Sequence, residues 1–374
     1  MAAKKSVSSS ALAKLAGDYM LVKPDIQEDG SVKTPRWETG IKALDVLTGG
    51  GFPKSKIVAF GSEEGVGKTT ILLHSAVNII EKYNKKVVYL DVEGGVTYDM
   101  MEGIGVLPYL YSEDNPDGLF FYMDVESIQE VNTIIKAATS DNDVALIVLD
   151  SDTNVIDETT LELDDLGASK NPVGESARMW SANFKKINAL IKRSEACLVV
   201  IHQARNDLSG FYVVMKPSGG KAAKHVASIE IWGVRKEFVG EGDVTKDKQG
   251  QKIKKSEAIG AKVQLTTLKN RLGYPYRTVD AFVYFGKGVS NKWAYREWLE
   301  THEITDPITG EVRPILKSGA WPNLRLPSGE YKDRGNEGTW KLIEEHWDEI
   351  VEYVNSNGGF TASINSEIAD EVAE

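Results

Sequence analysis

One cysteine, Cys197, is all the thiol chemistry this chain of 374 residues contains. A single thiol excludes an intramolecular disulfide framework, and its place in the apolar run CLVVI reads as a buried thiol in a reducing compartment. No window approaches eighteen uninterrupted apolar residues, which excludes a membrane-spanning helix and predicts no membrane partner. The opening MAAKKSVSSSALAKLAG lacks an apolar stretch of secretory length, so export is not expected and the cytoplasm is. No Cys/His spacing suggests zinc, and nothing resembles a Ser-His-Asp or Cys-His catalytic set. Basic residues are also short, with 44 Lys and Arg against 55 Asp and Glu, a net charge of −11. That balance argues against nucleic acid until it is located. Nine of the acids fall in the last 31 residues, which hold no Lys or Arg, and the rest of the chain carries 44 bases against 46 acids. The acidity is largely a C-terminal property and leaves room for a local basic groove.

What is present is an ordinary globular composition, 41% hydrophobic and 26% charged, able to bury a sizeable core in one large domain with appendages or in two to three domains. Residues 1–37 show no long hydrophobic pattern. Ser8-Ser9-Ser10 precede ALAKLAGDYM, a short amphipathic helix with Leu12, Leu15, Ala16 and Tyr19 on one side, which needs the body or a neighbouring subunit to cover it. Residues 38–290 alternate apolar runs with helical stretches: KIVAFG, KKVVYLD, LFFYMD, VALIVLD, ACLVVIH, ASIEIWGV, AKVQLTTLKN and VDAFVYFG. The early runs are continuous and separated by helices, which predicts a parallel sheet covered on both faces. The later runs read as antiparallel hairpins, with the polar insert Gly240 to Glu257 at a hairpin tip or loop. Residues 291–374 are Trp-rich, helical and finally acidic, and form a small separate domain in which Trp293, Trp298, Trp321, Trp340 and Trp347 are the expected core.

The strongest local signal is KIVAFGSEEGVGKTTILLHSAVNIIEKY. A strand, Ile57 to Phe60, runs into Gly61, Ser62, Glu63, Glu64, Gly65, Val66 and Gly67, then Lys68, Thr69 and Thr70 at the start of an amphipathic helix. Glycines let backbone N–H groups curl around phosphate oxygens, and the helix N-terminus favours the anion. Lys68 is placed for β/γ-phosphates and Thr69 for Mg²⁺. The first consensus glycine is replaced by Ser62, with Gly61 one residue early. Either Ser62 takes that position or the loop is one residue longer, and a Gly-rich turn that binds nothing is the plain alternative. Two strand ends supply acids: Asp91 and Glu93 in VVYLDVEGG, and Asp150 in VALIVLDSD. Asp150 suits the Mg²⁺ side and Glu93 the attacking water, the alternative being that Asp91, Asp150 or Asp152 caps a following helix. His202-Gln203 ends another strand, where a neutral amide can sense a γ-phosphate.

The order of these motifs resembles the RecA family of homologous-recombination proteins, of the bacterial or bacteriophage RecA/UvsX type. The resemblance is carried by ETGIKALDVLTGGGFPKSKIVAFGSEEGVGKTT, YLDVEGGVTYDMMEGIGV, ALIVLDSDTNVI, ESARMWSANFKKI, VVIHQARND, GGKAAKHVASIEIWGVRK and KVQLTTLKNRLGYPYRTVDAFVYFGKGVS. It covers about Glu38 to Ser290 and, more weakly, the C-terminal region. It implies a P-loop ATPase core of α/β class with a mixed, mainly parallel sheet, a short N-terminal oligomerisation segment and a small C-terminal α/β domain. It also implies that Lys68 and Thr69 are the phosphate and Mg²⁺ residues, Glu93 the catalytic glutamate, Asp150 the Walker B acid and Gln203 the γ-phosphate sensor. Lys269 and Arg271 match two cations that reach the adjacent subunit's nucleotide; read without the resemblance, they are a solvated strand end. Two segments match DNA-binding loops by position, near 167–174, before the helix carrying Arg178, and near 204–220. They put Lys170, Val173, Arg178, Arg205, Lys216 and Lys224 near DNA, with Phe211 or Tyr212 against bases or else as packed loop anchors. The family's adenine-facing aromatic falls near Met100, with Tyr98 two residues earlier.

The resemblance thus implies an ATP- and Mg²⁺-dependent recombinase that forms helical filaments of itself on single-stranded DNA, pairs it with double-stranded DNA, and works with a single-strand-binding protein and a loader in a bacterial or phage-infected cell. The rival readings are a hexameric DNA motor of helicase type and a weakly hydrolysing filament scaffold.

Overall fold

The run VALIVLD forms a strand buried at all seven positions, as a sheet covered on both faces requires. The computed structural model describes residues 25–26, 32–152, 155, 172–207, 214–217, 221–241, 245, 251–305, 310–357 and 363–364. The predicted helix near Ser10–Tyr19 lies outside these.

In chain order the main elements are α1 (Lys42–Thr48), β1 (Ile57–Ser62), α2 (Lys68–Tyr83), β2 (Lys86–Asp91), α3 (Tyr98–Ile104), β3 (Phe120–Asp124), α4 (Ile128–Ser140), β4 (Val144–Asp150), α5 (Pro172–Ile191), β5 (Cys197–Asp207), β6 (Val214–Pro217), α6 (Lys221–Val226), β7 (Ile229–Val239), β8 (Gly260–Asn270), β9 (Arg277–Tyr284) and β10 (Gly288–Ser290). The sheet runs β10-β9-β8-β7-β1-β5-β4-β2-β3. From β7 to β3 every pairing is parallel. From β7 to β10 every pairing is antiparallel, with the polar insert closing the β7–β8 hairpin where Val239 faces Gly260. The chain is therefore α/β with a mixed, mainly parallel central sheet, as its apolar runs predict.

Each face of the sheet buries a separate apolar layer. Ile71, Leu72, Ala76 and Ile79 of α2 pack with Phe60, Tyr89 and Cys197 on one side. Ile128, Val131 and Ile135 of α4 and Phe184 and Ile187 of α5 pack with Leu90, Ile147 and Leu149 on the other. Burying one such side chain contributes on the order of 2 kcal/mol, so the two layers hold the strand ends rigidly in register. Ser127 and Glu130 close α4 with a reciprocal capping box.

A third apolar cluster is built wholly from residues between Tyr295 and Val354. It comprises α7 (Lys292–Thr301), short strands β11 (Glu303–Thr305), β12 (Val312–Pro314), β13 (Leu316–Lys317), β14 (Asn323–Leu326) and β15 (Gly329–Lys332), and helices α8 (Gly335–Glu345) and α9 (Trp347–Ser356). Trp293 stacks on Phe282 of β9, ring centroids 4.0 Å apart, and seats this cluster against the sheet. Trp298 is buried, and Trp340 and Trp347 are partly buried. Trp321 departs from the expected aromatic core. It is 66% exposed, with the Arg334 guanidinium 5.0 Å above its ring, because the turn after β13 carries it outward. Beyond α9, β16 (Ser363–Ile364) pairs antiparallel with Thr278 and Arg277 of β9.

Parts of two expected loops belong to regular elements. Helix α5 starts at Pro172, a residue whose fixed φ suits a first helical turn, so Val173 and Gly174 belong to the helix and not to a loop before it. The segment after His202 continues as strand through Asp207 and returns as β6, with Lys216 paired to Arg205. The β-branched Val214 suits that strand.

Candidate nucleotide-binding site

The parallel register brings the functional strand ends together: Ser62 faces Gln203, Gly61 faces His202, and Asp91 faces Asp150. Strand β1 extends two residues past Phe60, so Gly61 and Ser62 are strand, and the loop proper is Glu63 to Gly67. Ser62, the last residue of β1, is fully buried, its hydroxyl donating to the Glu63 carbonyl at 2.6 Å. Gly61 is set by packing, since a Cβ there would lie 2.7 Å from the Trp232 ring. The loop's own glycines are Gly65 and Gly67, at φ +70° and +90°, conformations that other residues rarely adopt.

Lys68 opens α2 and folds back over this loop, donating to Ser62 Oγ at 2.9 Å and reaching the Glu63 carbonyl at 3.5 Å. Burial lowers its ammonium pKa, against the opposing pull of Asp150, Glu93 and Glu64. A partly buried ammonium at the start of a helix suits an anionic ligand. Val66 is buried beneath the loop, and Thr70 is buried in the first turn of α2. Arg235 of β7 also reaches the loop, its Nη1 3.5 Å from the Glu64 carbonyl, with Phe238 under its guanidinium.

Thr69 donates to Asp150 Oδ2 at 2.9 Å, and the Tyr89 phenol donates to the same oxygen at 2.6 Å. Burial raises the Asp150 carboxyl, opposed by these two hydrogen bonds. The phenol is pushed far up, first by burial and then by Asp150, so it stays a donor. Asp91 is a local organiser. Its Oδ1 accepts the Glu93 and Gly94 amides at 3.0 and 2.9 Å, and its Oδ2 accepts the Val96 amide and the Tyr122 phenol, both at 3.0 Å. The turn so held presents Glu93 at the surface, where Oε1 accepts from the Ser151 hydroxyl. Asp152 pairs with the His202 imidazole.

Among the described residues no group of three or more His, Cys, Asp or Glu gathers into a metal cage. Mg²⁺ is typically held through one or two protein oxygens plus phosphates and water. Thr69 and Asp150, already hydrogen-bonded, are a donor set of that kind.

Lys269 near the end of β8 and Arg271 just beyond it turn to their own chain. Lys269 Nζ donates to the Lys224 carbonyl at 2.5 Å and the His225 carbonyl at 3.3 Å, and Arg271 Nη2 donates to the His225 carbonyl at 3.2 Å. These carbonyls close α6. Lys224 itself pairs with Glu230 at 3.0 Å. Arg178 and Val173 lie in α5, and Arg205 and Lys216 lie across the β5–β6 hairpin. Lys170, Phe211 and Tyr212 lie outside the described residues. Met100 is half-buried on α3, while Tyr98 is 69% exposed. Sequence reasoning missed Tyr89, Tyr122, Ser151 and Arg235. The usable signal was a tyrosine inside each of two apolar strands, since a buried phenol needs a partner.

The sequence matches the family described as the RecA N-terminal domain over residues 9–290. Among curated relatives, Protein RecA of Lactobacillus johnsonii is 26% identical over 369 residues, 96% of this chain and 91% of that protein. Protein RecA of Bacillus cereus is 24% identical over 367 residues, 96% of this chain and 94% of that protein. A solved structure titled as the RadB recombinase aligns with a TM-score of 0.47 at 19% identity, over 68% of this chain and 98% of its own.

Proposed function

The chain belongs to the RecA family, and from that premise we propose that it is a DNA-dependent ATPase that assembles on single-stranded DNA and promotes homologous pairing and strand exchange. The observation that carries this reading is the cluster at the parallel strand ends, where Lys68 lies on a glycine loop, Thr69 is bound to Asp150, and Glu93 stands beside Ser151.

In this reading Gly65, Val66, Gly67 and the first turn of α2 offer backbone N–H groups to the ATP phosphates, and Lys68 meets the β/γ end. Thr69 and Asp150 hold Mg²⁺, which when bound supplies positive charge against the phosphate oxygens. Glu93 orients and deprotonates the attacking water, and Gln203 reads the γ-phosphate from the strand that leads into the DNA-contacting hairpin. Lys269 and Arg271 leave their carbonyls and complete the next subunit's site, so the charge is present only where protomers stack. Arg205, Lys216, Arg178, Lys170 and Lys224 meet DNA phosphates, with Val173, Phe211 or Tyr212 against bases. The segment 1–37 docks on a neighbouring protomer, and residues 291–374 form a C-terminal domain whose acidic tail competes with DNA.

Negative-stain microscopy with single-stranded DNA and a non-hydrolysable ATP analogue tests the assembly, and ATP hydrolysis with and without DNA tests the chemistry. Helical filaments and DNA-stimulated turnover are expected, with turnover abolished by Lys68→Ala. Closed rings would replace the recombinase reading with a motor. Turnover that survives Lys68→Ala would remove the phosphate-site assignment.

A further inference from the structure

Tyr89 and Tyr122 are direct register partners on the parallel strands β2 and β3, their ring centroids 6.4 Å apart. Each sends its phenol to a different acid. Tyr89 has no exposed surface and donates to Asp150 Oδ2 at 2.6 Å, the oxygen that also accepts from Thr69. Tyr122 donates to Asp91 Oδ2 at 3.0 Å, beside the Val96 amide, while Asp91 Oδ1 holds the Glu93 and Gly94 amides.

Resting on the ATPase reading above, we infer that the two phenols are positioning residues with separable tasks. Tyr89 sets the Asp150 carboxylate for the divalent cation, and Tyr122 sets, through Asp91, the turn that presents Glu93. The physical argument is one of orientation. A protonated phenol serves a carboxylate only by donating. If the Asp150 carboxylate turned away, the Tyr89 hydroxyl, on a side chain with no exposed surface, would be left without its acceptor beside the Phe120 and Tyr122 rings. That penalty fixes which oxygen stays with Thr69 and the phenol. Around Asp91 the other donors are backbone amides of the turn it organises, so the Tyr122 hydroxyl is what ties that carboxylate to the sheet. A side chain packed beneath a ligand and bonded to it typically governs metal affinity without touching the metal.

The test compares full-length wild type, Tyr89→Phe and Tyr122→Phe. Both substitutions delete one hydroxyl and keep the ring. A fluorescent ATP analogue is titrated against Mg²⁺ and in EDTA, and steady-state hydrolysis is measured at saturating Mg²⁺. Tyr89→Phe is expected to raise the Mg²⁺ concentration for half-maximal nucleotide binding about tenfold, with binding in EDTA unchanged and kcat largely restored at high Mg²⁺. Tyr122→Phe is expected to leave the Mg²⁺ curve in place and lower kcat several-fold at unchanged KM. Coincident Mg²⁺ curves for wild type and Tyr89→Phe, or both variants shifting both quantities alike, would overturn the assignment. Should Tyr89→Phe fold poorly, Tyr122→Phe decides alone, and a shifted Mg²⁺ curve or an unchanged kcat in it would overturn the inference; where Tyr89→Phe folds, Asp150→Asn provides a second background. Adding Tyr89→Phe to it should move the Mg²⁺ curve no further, and a further shift would count against the inference. If wild type itself shows no Mg²⁺-dependent nucleotide binding, the ATPase reading fails first, an outcome distinct from a responsive wild type with unresponsive variants.

Discussion

Asp152 Oδ1 and His202 Nδ1 lie 2.8 Å apart with both side chains about 2% exposed, joining the segment after β4 to β5 one residue before Gln203. The Asp152 amide adds a hydrogen bond to the Ile201 carbonyl at 3.2 Å. The pair thus fastens the end of the acid-bearing strand to the strand that carries the proposed phosphate sensor.

Asp152→Ala should destabilise the fold by about 1–3 kcal/mol, because it strands a buried imidazole nitrogen. Asp152→Asn keeps an acceptor and should cost less. Urea unfolding measures both, and equal stability of all three proteins would show that the pair is not a structural tie.

Arg271→Ala removes a cation that in the single chain donates to the His225 carbonyl. Nucleotide binding to isolated subunits should be unchanged, while DNA-stimulated hydrolysis should fall at least about a hundredfold if the guanidinium acts on the neighbour's phosphates. Stimulation that survives the substitution would end the proposal of a shared site.

Asp45 gives a pH signature unrelated to catalysis. Its carboxyl accepts the Thr39 amide and hydroxyl at 2.8 and 2.7 Å, yet burial pushes its pKa up to about 6. The folded chain therefore holds this proton more tightly than the unfolded chain. Its contribution to stability is present at low pH and is lost as pH rises from about 4 through about 6, a total on the order of 3 kcal/mol. Asp45→Asn mimics the protonated group, so its stability relative to wild type should climb across that window and level off above it. A constant difference across the window would refute this assignment.

Gly61→Ala should cost about 1–3 kcal/mol, since the added methyl meets the Trp232 ring inside a packed layer. Trp232→Leu in the same chain should recover part of that loss. Failure of the smaller side chain to rescue would mean that Gly61 is needed by the phosphate loop and not by packing.

Deleting residues 358–374 removes Glu367, Asp370, Glu371 and Glu374 together with the strand that covers Thr278 and Arg277. Binding to single-stranded DNA should tighten at low ionic strength, and the gain should vanish at high salt. An unchanged affinity at every salt concentration would leave the tail as an edge cover for the sheet.

The strands, the order of the motifs and the loop from Glu63 to Lys68 were legible because they depend on local pattern: apolar runs, glycines, a Lys-Thr pair before an amphipathic stretch. The need for Gly61 was not, because it turns on whether a Cβ there would meet Trp232, a residue 171 positions away. The same holds for Tyr89 and Tyr122, which look like ordinary strand residues until the register of β2 with β4 and β3 brings an acid to each phenol. Pro172 and the Arg205–Lys216 pairing escaped for the opposite reason. Nearby glycines were read as loop signals, and a proline-started helix and a β-forming return strand prevailed locally.

Cys197 has no exposed surface, and burial pushes its thiol pKa well above the ordinary range. A thiol held neutral inside β5 is poorly reactive toward maleimides and alkylating agents. The native chain is consequently a blank background for site-specific labelling. A cysteine introduced at exposed Tyr98 or Tyr274 would carry a fluorophore or spin probe alone, with no native residue to remove first.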